Sequence, residues 1–255
     1  MSLTYKSRYF QVIEKNERNH FWFAARNRLL GNLLTRFVPS PNGKAYIEVG
    51  CGTGVVLPLL IKLGFTVTGL DVNSRAILYA RKKTNARLVR QSLYSYKTKE
   101  KYDCVGVFDV LEHQTNDRLF LRRCFDLLVP GGYIFLTVPA GKWLWTRIDA
   151  ESGHKRRYEA AELVRVVRRA GFDVEFWNYW NALPLPFFLA KRAISSLGRS
   201  QGTIARYVNR PPWLINSFLY VLLVLEATYM FTVHYPVGAS FVLCAKRPRS
   251  PDYRP

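Results

Sequence analysis

The feature that most constrains this chain is a junction. A β-prone run, AYIEVG from Ala45, passes without a break into Gly50-Cys51-Gly52-Thr53-Gly54, and a helical pattern begins directly afterwards. Glycines at such a point let the backbone take left-handed turns, and they bring amide groups close to a ligand at the positive end of a helix. Twenty-one residues beyond Gly50, at the end of the next β-prone run FTVTGLDV, stands Asp71. A carboxylate there is placed to accept hydrogen bonds from two ribose hydroxyls. A dinucleotide fingerprint requires GxGxxG, whereas Val55 follows Gly54 and the spacing is GxGxG. The pair of loop and acid predicts a nucleoside-containing cofactor of another kind.

The rest of the chain agrees with an α/β fold. Short apolar runs alternate with helical patterns: VVLPLLIKLG, FTVTGLDV, SRAILYARKK, ARLV, YDCVGVFDV, DRLFLRRCFDLL, a turn at Pro130-Gly131-Gly132, and the strand YIFLTVPA. Strict alternation at this spacing predicts a mostly parallel sheet with helices on both faces. Residues 1–42 read as a cap of two aromatic and basic helices closed by a Pro/Gly loop, and residues 43–180 as the cofactor-binding core. Residues 181–238 form an apolar, Pro-containing insertion with five basic residues (Lys191, Arg192, Arg199, Arg206, Arg210) and one acid, Glu226. Residues 239–255 are a last strand and a basic tail.

Charge and cysteine usage bound the partners. Lys and Arg number 38 against 18 Asp and Glu, a formal net charge of +20, which calls for an acidic partner: nucleic acid, an anionic membrane surface, or a phosphorylated acceptor. The four cysteines lie far apart in sequence with no CxxC pair, as expected of a reduced chain on the cytoplasmic side without a disulfide scaffold. The first twenty residues lack the apolar core of a secretory signal. No His/Asp cluster has the spacing of a metal site, so the expectation is metal-independent chemistry.

Several motifs together carry a resemblance. EVGCGTG (Glu48 to Gly54), Asp71, FDVLEH (Phe108 to His113), LVPGGYIFLTVPA, the residues Glu17, His20, Trp22 and Phe23, and DAESGHKRRY (Asp149 to Tyr158) resemble class I S-adenosylmethionine-dependent methyltransferases. The likeness is to the subgroup that includes the quinone-biosynthesis enzymes, and it is firmest over residues 45–180. It implies a Rossmann-like seven-stranded sheet whose last strand runs antiparallel, which places 181–238 over the active site. It also implies S-adenosyl-L-methionine held by Glu48, Gly50, Cys51, Gly52 and Gly54, by Asp71 and Val72 at the ribose, and by Asp109 and Val110 at the methionine end. Gln91 and Ser92 occupy the adenine loop, where many relatives carry an acid. His20 and Trp22 correspond to a lid over the cofactor where the substrate binds, or simply to core.

Methyl transfer from a sulfonium needs alignment of the nucleophile, and an aliphatic hydroxyl also needs a base, typically His. His113 ends FDVLEH near the point where ligands of open α/β sheets bind; it reads as that base or as a capping imidazole. His154 lies in GHKRRY after the fifth strand, on the acceptor side. It is the second candidate base, with Tyr158 as a hydroxyl in reach and Arg156 and Arg157 as an acceptor clamp or a solvated basic face. Within the insertion, 16 of the 21 residues from Trp213 to Val233 are apolar, yet Asn216, Ser217 and Glu226 interrupt them. Both ends of the excursion must also return to one sheet, so an interfacial hairpin or a buried cap fits better than a span. The expected function is methyl transfer to a hydroxyl of a small-molecule or lipid-linked acceptor by an enzyme peripheral to the cytoplasmic face of a membrane. An RNA methyltransferase and a non-catalytic scaffold of the same fold are the alternatives, and the oligomeric state stays open.

Overall fold

The computed structural model describes residues 7–197 and 209–249. Arg199, Arg206, the end of the basic tail and the side chain of Lys191 lie outside the described residues.

Seven strands form one sheet: β1 (Ala45–Val49), β2 (Thr66–Asp71), β3 (Arg87–Arg90), β4 (Tyr102–Phe108), β5 (Leu128–Pro139), β6 (Asp173–Trp180) and β7 (Ser240–Lys246). Their order is β3-β2-β1-β4-β5-β7-β6, with β7 antiparallel to both of its neighbours and β1 to β5 parallel. The expected sheet is therefore the observed one. The order reverses between β1 and β4, and that switch point opens a crevice at the strand carboxyl ends. One local reading differs: Pro130-Gly131-Gly132, expected as a turn, lies inside β5, where the register to β4 slips between Tyr102 and Cys104.

Period-two patterning assigns the two faces of the sheet. Along β4, Cys104 and Phe108 join one apolar cluster while Val105 and Val107 join the other. The second cluster is covered by α5 (Asp117–Leu127) and α7 (Ala160–Arg169), which contribute Phe120, Leu121, Leu163 and Val167. The first is covered by α2 (Phe21–Phe37), by the short α3 (Leu57–Lys62), and by α9 (Trp213–Tyr229) from the insertion. Leu29, Leu30, Leu33 and Leu34 of α2 are fully buried, as are Leu223 and Ala227 of α9. Each fully buried leucine contributes ~1.5–3 kcal/mol, so α2 and α9 are structural members of one layer.

Polar ties fix the pair. Asn216 Oδ1 accepts the Phe21 amide at 3.0 Å, Asn216 Nδ2 donates to the Asn19 carbonyl at 3.2 Å, and Asn32 Nδ2 donates to the Ala227 carbonyl at 2.9 Å. Of the polar residues that interrupt the apolar run, Asn216 and Glu226 therefore face the protein, while Ser217 is exposed. Glu226 is buried and accepts the amides of Ala182 and Leu183, tying α9 to the loop that enters α8 (Leu185–Leu197). Among the described residues no helix is long and apolar enough to cross a membrane. The remaining helices are α1 (Ser7–Glu17), α4 (Ser74–Arg81) and α6 (Arg147–Ser152).

Candidate functional site

The glycine loop has the backbone its residues anticipate. Gly50, Gly52 and Gly54 all have positive φ (78°, 53° and 77°). A Cβ at Gly50 would lie 2.5 Å from Val110 Cγ2 and one at Gly54 would lie 2.8 Å from Ala80, so both glycines permit close packing of the loop. Gly52 differs, because a Cβ there meets nothing within 4 Å. It faces an open cradle. Asp71 closes that cradle: Oδ2 accepts the Gly52 amide and Oδ1 the Asn73 amide, both at 2.8 Å. Burial pushes its carboxyl up, and the amides of Asn73, Gly52 and Val72 oppose that. Val72 is exposed at the rim, and Cys51 is buried beneath the loop.

A charge cluster of buried Arg26 and Glu48 and half-buried Asp109 occupies the floor. Asp109 follows β4 in a left-handed conformation (φ 58°), and its Oδ2 pairs with Arg26 Nη1 at 2.8 Å. Arg26 reaches there from α2, with its guanidinium 4.6 Å from the ring centre of Trp22. Glu48 is buried at the end of β1, and its Oε2 has no hydrogen-bond partner among the described residues; Arg26 Nε has none either. Burial pushes the Glu48 carboxyl up to about 8, with Arg26 opposing and Asp71 adding to the rise. Two unpartnered polar atoms of opposite kind beside an open loop are what a ligand with both ammonium and carboxylate groups satisfies. The residues present thus fit the methionine end, the ribose and the backbone approach of S-adenosylmethionine.

Beyond Asp109 the chain makes a 3₁₀ turn, Leu111–His113. Glu112 is fully buried, and neither carboxylate oxygen has a hydrogen-bond partner among the described residues. Burial, then Asp109, holds its carboxyl well above the usual range. His113 stands 4.8 Å from His154, ring centre to ring centre, and its Nδ1 meets the Gly153 carbonyl at 3.1 Å. Burial and then His154 bring His113 down to about 4, so it is neutral near pH 7. His154 Nδ1 meets Asp149 Oδ1 at 2.9 Å. Burial works to raise Asp149, but His154, Arg157 and the Thr146 amide outweigh it and hold the carboxyl at about 2. An anionic Asp149 takes the Nδ1 hydrogen and leaves His154 Nε2 as the basic nitrogen. Of these side chains His154 is the most exposed, at 17% against 7% for His113 and none for Glu112.

Several expectations change. The spacing of residues shows no metal cluster, but the fold brings donor atoms of Glu112, His113 and His154 within 4.8 Å of one another, the one such group that could hold a cation among the described residues. Tyr158 is fully buried and its hydroxyl donates to Asp117 at 3.2 Å, which removes it from the reacting groups. Arg156 pairs with the same Asp117 and with the Gln114 and Thr115 carbonyls, while Arg157 is held by Asp149 and the Ala140 carbonyl. Neither arginine is the acceptor clamp their clustering suggested. His20 caps α2 by accepting the Trp22 amide, and Trp22 packs against Trp180 at 5.9 Å, so both serve the cap. Gln91 is exposed, and Ser92 shapes a turn by accepting the Tyr94 amide.

One residue of the site has almost no sequence signal, and a second enters the sequence only through the resemblance. Arg26 contacts Asp109 across 83 positions, and its one local signal is a cation inside an aromatic helical run. Glu17 was noted only by resemblance, yet it accepts the Thr53 hydroxyl in the glycine loop and pairs with Lys83 next to α4. The N-terminal helix is thereby pinned to the cofactor loop.

The chain is similar to known proteins in sequence and in fold. Residues 18–175 match the family model described as a methyltransferase domain. The chain is 28% identical over 153 residues to a ubiquinone biosynthesis O-methyltransferase of Thiobacillus denitrificans, covering 52% of this chain and 66% of that protein. It is 28% identical over 170 residues to a probable S-adenosylmethionine-dependent methyltransferase of Mycolicibacterium smegmatis, covering 61% of each. The chain spans less than two thirds of the length of both relatives. In fold it is similar to phosphoethanolamine N-methyltransferase 2 of Haemonchus contortus in complex with S-adenosyl-L-methionine, with a TM-score of 0.57 at 16% identity over 85% of this chain and 52% of that one. The glycine loop, Asp71 and the floor of Glu48 and Asp109 all fall inside the matched residues, and the chain belongs to the methyltransferase-domain family as a class I S-adenosylmethionine-dependent methyltransferase.

Proposed function

We propose that this enzyme methylates a hydroxyl of a lipid-like, isoprenoid or glycan-linked acceptor, working peripherally at the cytoplasmic face of a membrane. The observation that carries the reading is the Asp149–His154 pair, a carboxylate-oriented imidazole at the carboxyl end of the sheet. An aliphatic or weakly acidic hydroxyl is the acceptor class that needs such a base. The bound cofactor supplies a methyl group on a positively charged sulfur. The chain supplies the rest. Gly50, Gly52, Gly54 and Asp71 position the nucleoside, Arg26 and Glu48 take the charges of the amino-acid end, and α1 and α2 close over the loop as a cap. His154 Nε2 takes the acceptor proton as the new bond forms, and Asp149 stabilises the resulting imidazolium.

The acceptor class is supported by the apolar helices that 181–238 lays beside the cap, and the cytoplasmic side by four free, buried cysteines. RNA remains the competing acceptor on the strength of the +20 charge alone. Incubating the enzyme with methyl-labelled cofactor and cell extract, then partitioning the product, separates the two: label in the lipid phase is expected, and label in nucleic acid overturns the acceptor class. With the labelled lipid as substrate, His154→Gln is expected to lower kcat by ~10²–10⁴ with cofactor affinity unchanged. A chelator is expected to leave the rate as it was. Loss of activity on chelation, restored by a divalent cation, would instead assign Glu112, His113 and His154 to cation binding.

A further inference from the structure

Among the described residues, nothing covers the outer face of α9. Leu214, Phe218, Val221, Leu225 and Tyr229 recur at steps of four, three, four and four residues, which places them on one side of a helix, and each is 45–64% exposed. Phe187 of α8 extends the row, with its ring edge-on to Phe218 at 5.5 Å. Trp213, at the first position of α9, is two-thirds exposed. The opposite side of α9 carries Asn216, Leu219, Leu223, Glu226 and Ala227, all buried. A contiguous apolar row of this kind on a soluble surface marks an interaction site.

Charge identifies what covers it. In sequence, 181–238 carries five basic residues and a single acid, and that acid, Glu226, is buried with its carboxylate oxygens on the backbone amides of Ala182 and Leu183. Arg192 in α8 and Arg210 just before α9 are exposed. A second copy of the chain would set cation against cation. An apolar surface rimmed by negative charge satisfies both properties, and an anionic bilayer is such a surface. At 17 residues α9 is about 26 Å long, shorter than the ~30 Å hydrocarbon core; its Asn216 and Glu226 are turned into the protein, while Ser217 and Thr228 are exposed.

We infer that the exposed face of α9 and the start of α8 form a docking surface for an anionic lipid bilayer, with α9 lying in the plane of the interface. Asn216 bonds the first turn of α9 to the first turn of α2, the helix that delivers Arg26 to Asp109. The docked face and the cofactor floor therefore share one rigid element, and a lipid-phase acceptor meets the site without leaving the membrane. The inference rests on the proposed acceptor for what enters the site; attachment itself stands on the surface alone.

Flotation with vesicles of phosphatidylcholine and phosphatidylglycerol, beside phosphatidylcholine alone, tests it. The full chain is expected to float with the acidic vesicles, more weakly as salt rises, and Trp213 emission is expected to shift to the blue, a shift absent in Trp213→Phe. The double variant Phe218→Asp, Val221→Asp alters exposed positions only. It is expected to bind S-adenosylmethionine as before and to lose about tenfold or more in vesicle affinity. Wild-type flotation of that variant overturns the inference. So does a dimer, seen by sedimentation, that the same variant dissociates while no vesicle binding occurs. Equal binding to neutral vesicles overturns the anionic part. Flotation without label in the lipid fraction leaves docking standing and fails the acceptor reading, whereas labelled lipid without flotation does the reverse.

Discussion

At Asp71 both carboxylate oxygens already accept amide hydrogens, from Gly52 and Asn73, so the acid is oriented by the loop it serves. Each oxygen keeps a further lone pair for a ribose hydroxyl. Removing the side chain in Asp71→Ala costs the charge-assisted bonds to the cofactor, worth ~1.5–3 kcal/mol, and calorimetry should show affinity for S-adenosylmethionine falling by about tenfold or more. Asp71→Asn should lie between the two. Unchanged affinity in the alanine variant would mean that the ribose sits elsewhere. This acid was legible in the sequence because a strand end and a glycine loop are local patterns, separated by a spacing that the βαβ unit sets. Arg26 was not. Its contact with Asp109 is made by two elements 83 positions apart that meet only in the folded sheet. Arg156 and Arg157 failed for the opposite reason: adjacency in sequence looked like one basic patch, while the backbone turns them to different carboxylates, Asp117 and Asp149.

Among the elements, α1 holds the cofactor loop by one residue. Glu17 is buried between the Thr53 hydroxyl and the Lys83 ammonium, and Lys83 also donates to the Thr53 carbonyl at 3.0 Å. Three elements thus meet at one carboxylate. In Glu17→Ala the loop loses its tie to the cap, and Lys83 loses a buried partner. Cofactor affinity is expected to fall, with amide exchange accelerating in α1 before it changes in the sheet strands. If affinity holds while α1 exchanges faster, α1 is packing alone. Helix α9 shows how far patterning carries a reading at this scale. Its apolar content was plain, but the side it presents to α2 was fixed by Asn216 and Glu226, whose partners are backbone groups of distant segments and have no signature in sequence. Helix α6 is short and rests on a capping box between Thr146 and Asp149, a signal that was present in the sequence and overshadowed by the basic run after it.

For the whole molecule, buried carboxyls set the pH response. Glu48 is raised to about 8 and Glu226 to about 7 from an ordinary value near 4.5, burial being the leading cause for each. The folded chain then holds protons that the unfolded chain has lost, so stability declines as pH rises through this window. His113, pushed down to about 4 from 6.5, acts in the other direction, but only below pH 6.5. Lys83, lowered to about 8, adds stability only at higher pH. Between pH 6.5 and 8 the cofactor-free enzyme should therefore melt at progressively lower temperature. Glu48→Gln should flatten that slope, and saturating cofactor should reduce it, because a cationic ligand beside Glu48 favours the carboxylate. Calorimetric melting across the window checks all three, and a slope that survives in Glu48→Gln at full size would assign it to Glu226 or to neither. The sheet order was legible at this scale, since alternating strands and helices admit few topologies. Which surface would be left apolar and uncovered was not, because that depends on how two faces of one helix are shared between protein and surroundings.

The insertion leaves the sheet at Trp180 and returns at Ser240, and these two residues are paired partners in the register of β6 and β7. Asn181 Nδ2 even donates to Ser240 Oγ at 3.1 Å, so the excursion begins and ends at the same place. Topologically it is a cassette. Its outward part can be exchanged for one of different chemistry, provided the replacement carries the buried row Leu219, Leu223, Ala227 that roofs α2 and the Asn216 and Glu226 that tie α9 to its neighbours. A chimera that keeps this row and replaces the outer one should retain the transfer chemistry and acquire a new address, which makes where the enzyme works separable from what it does.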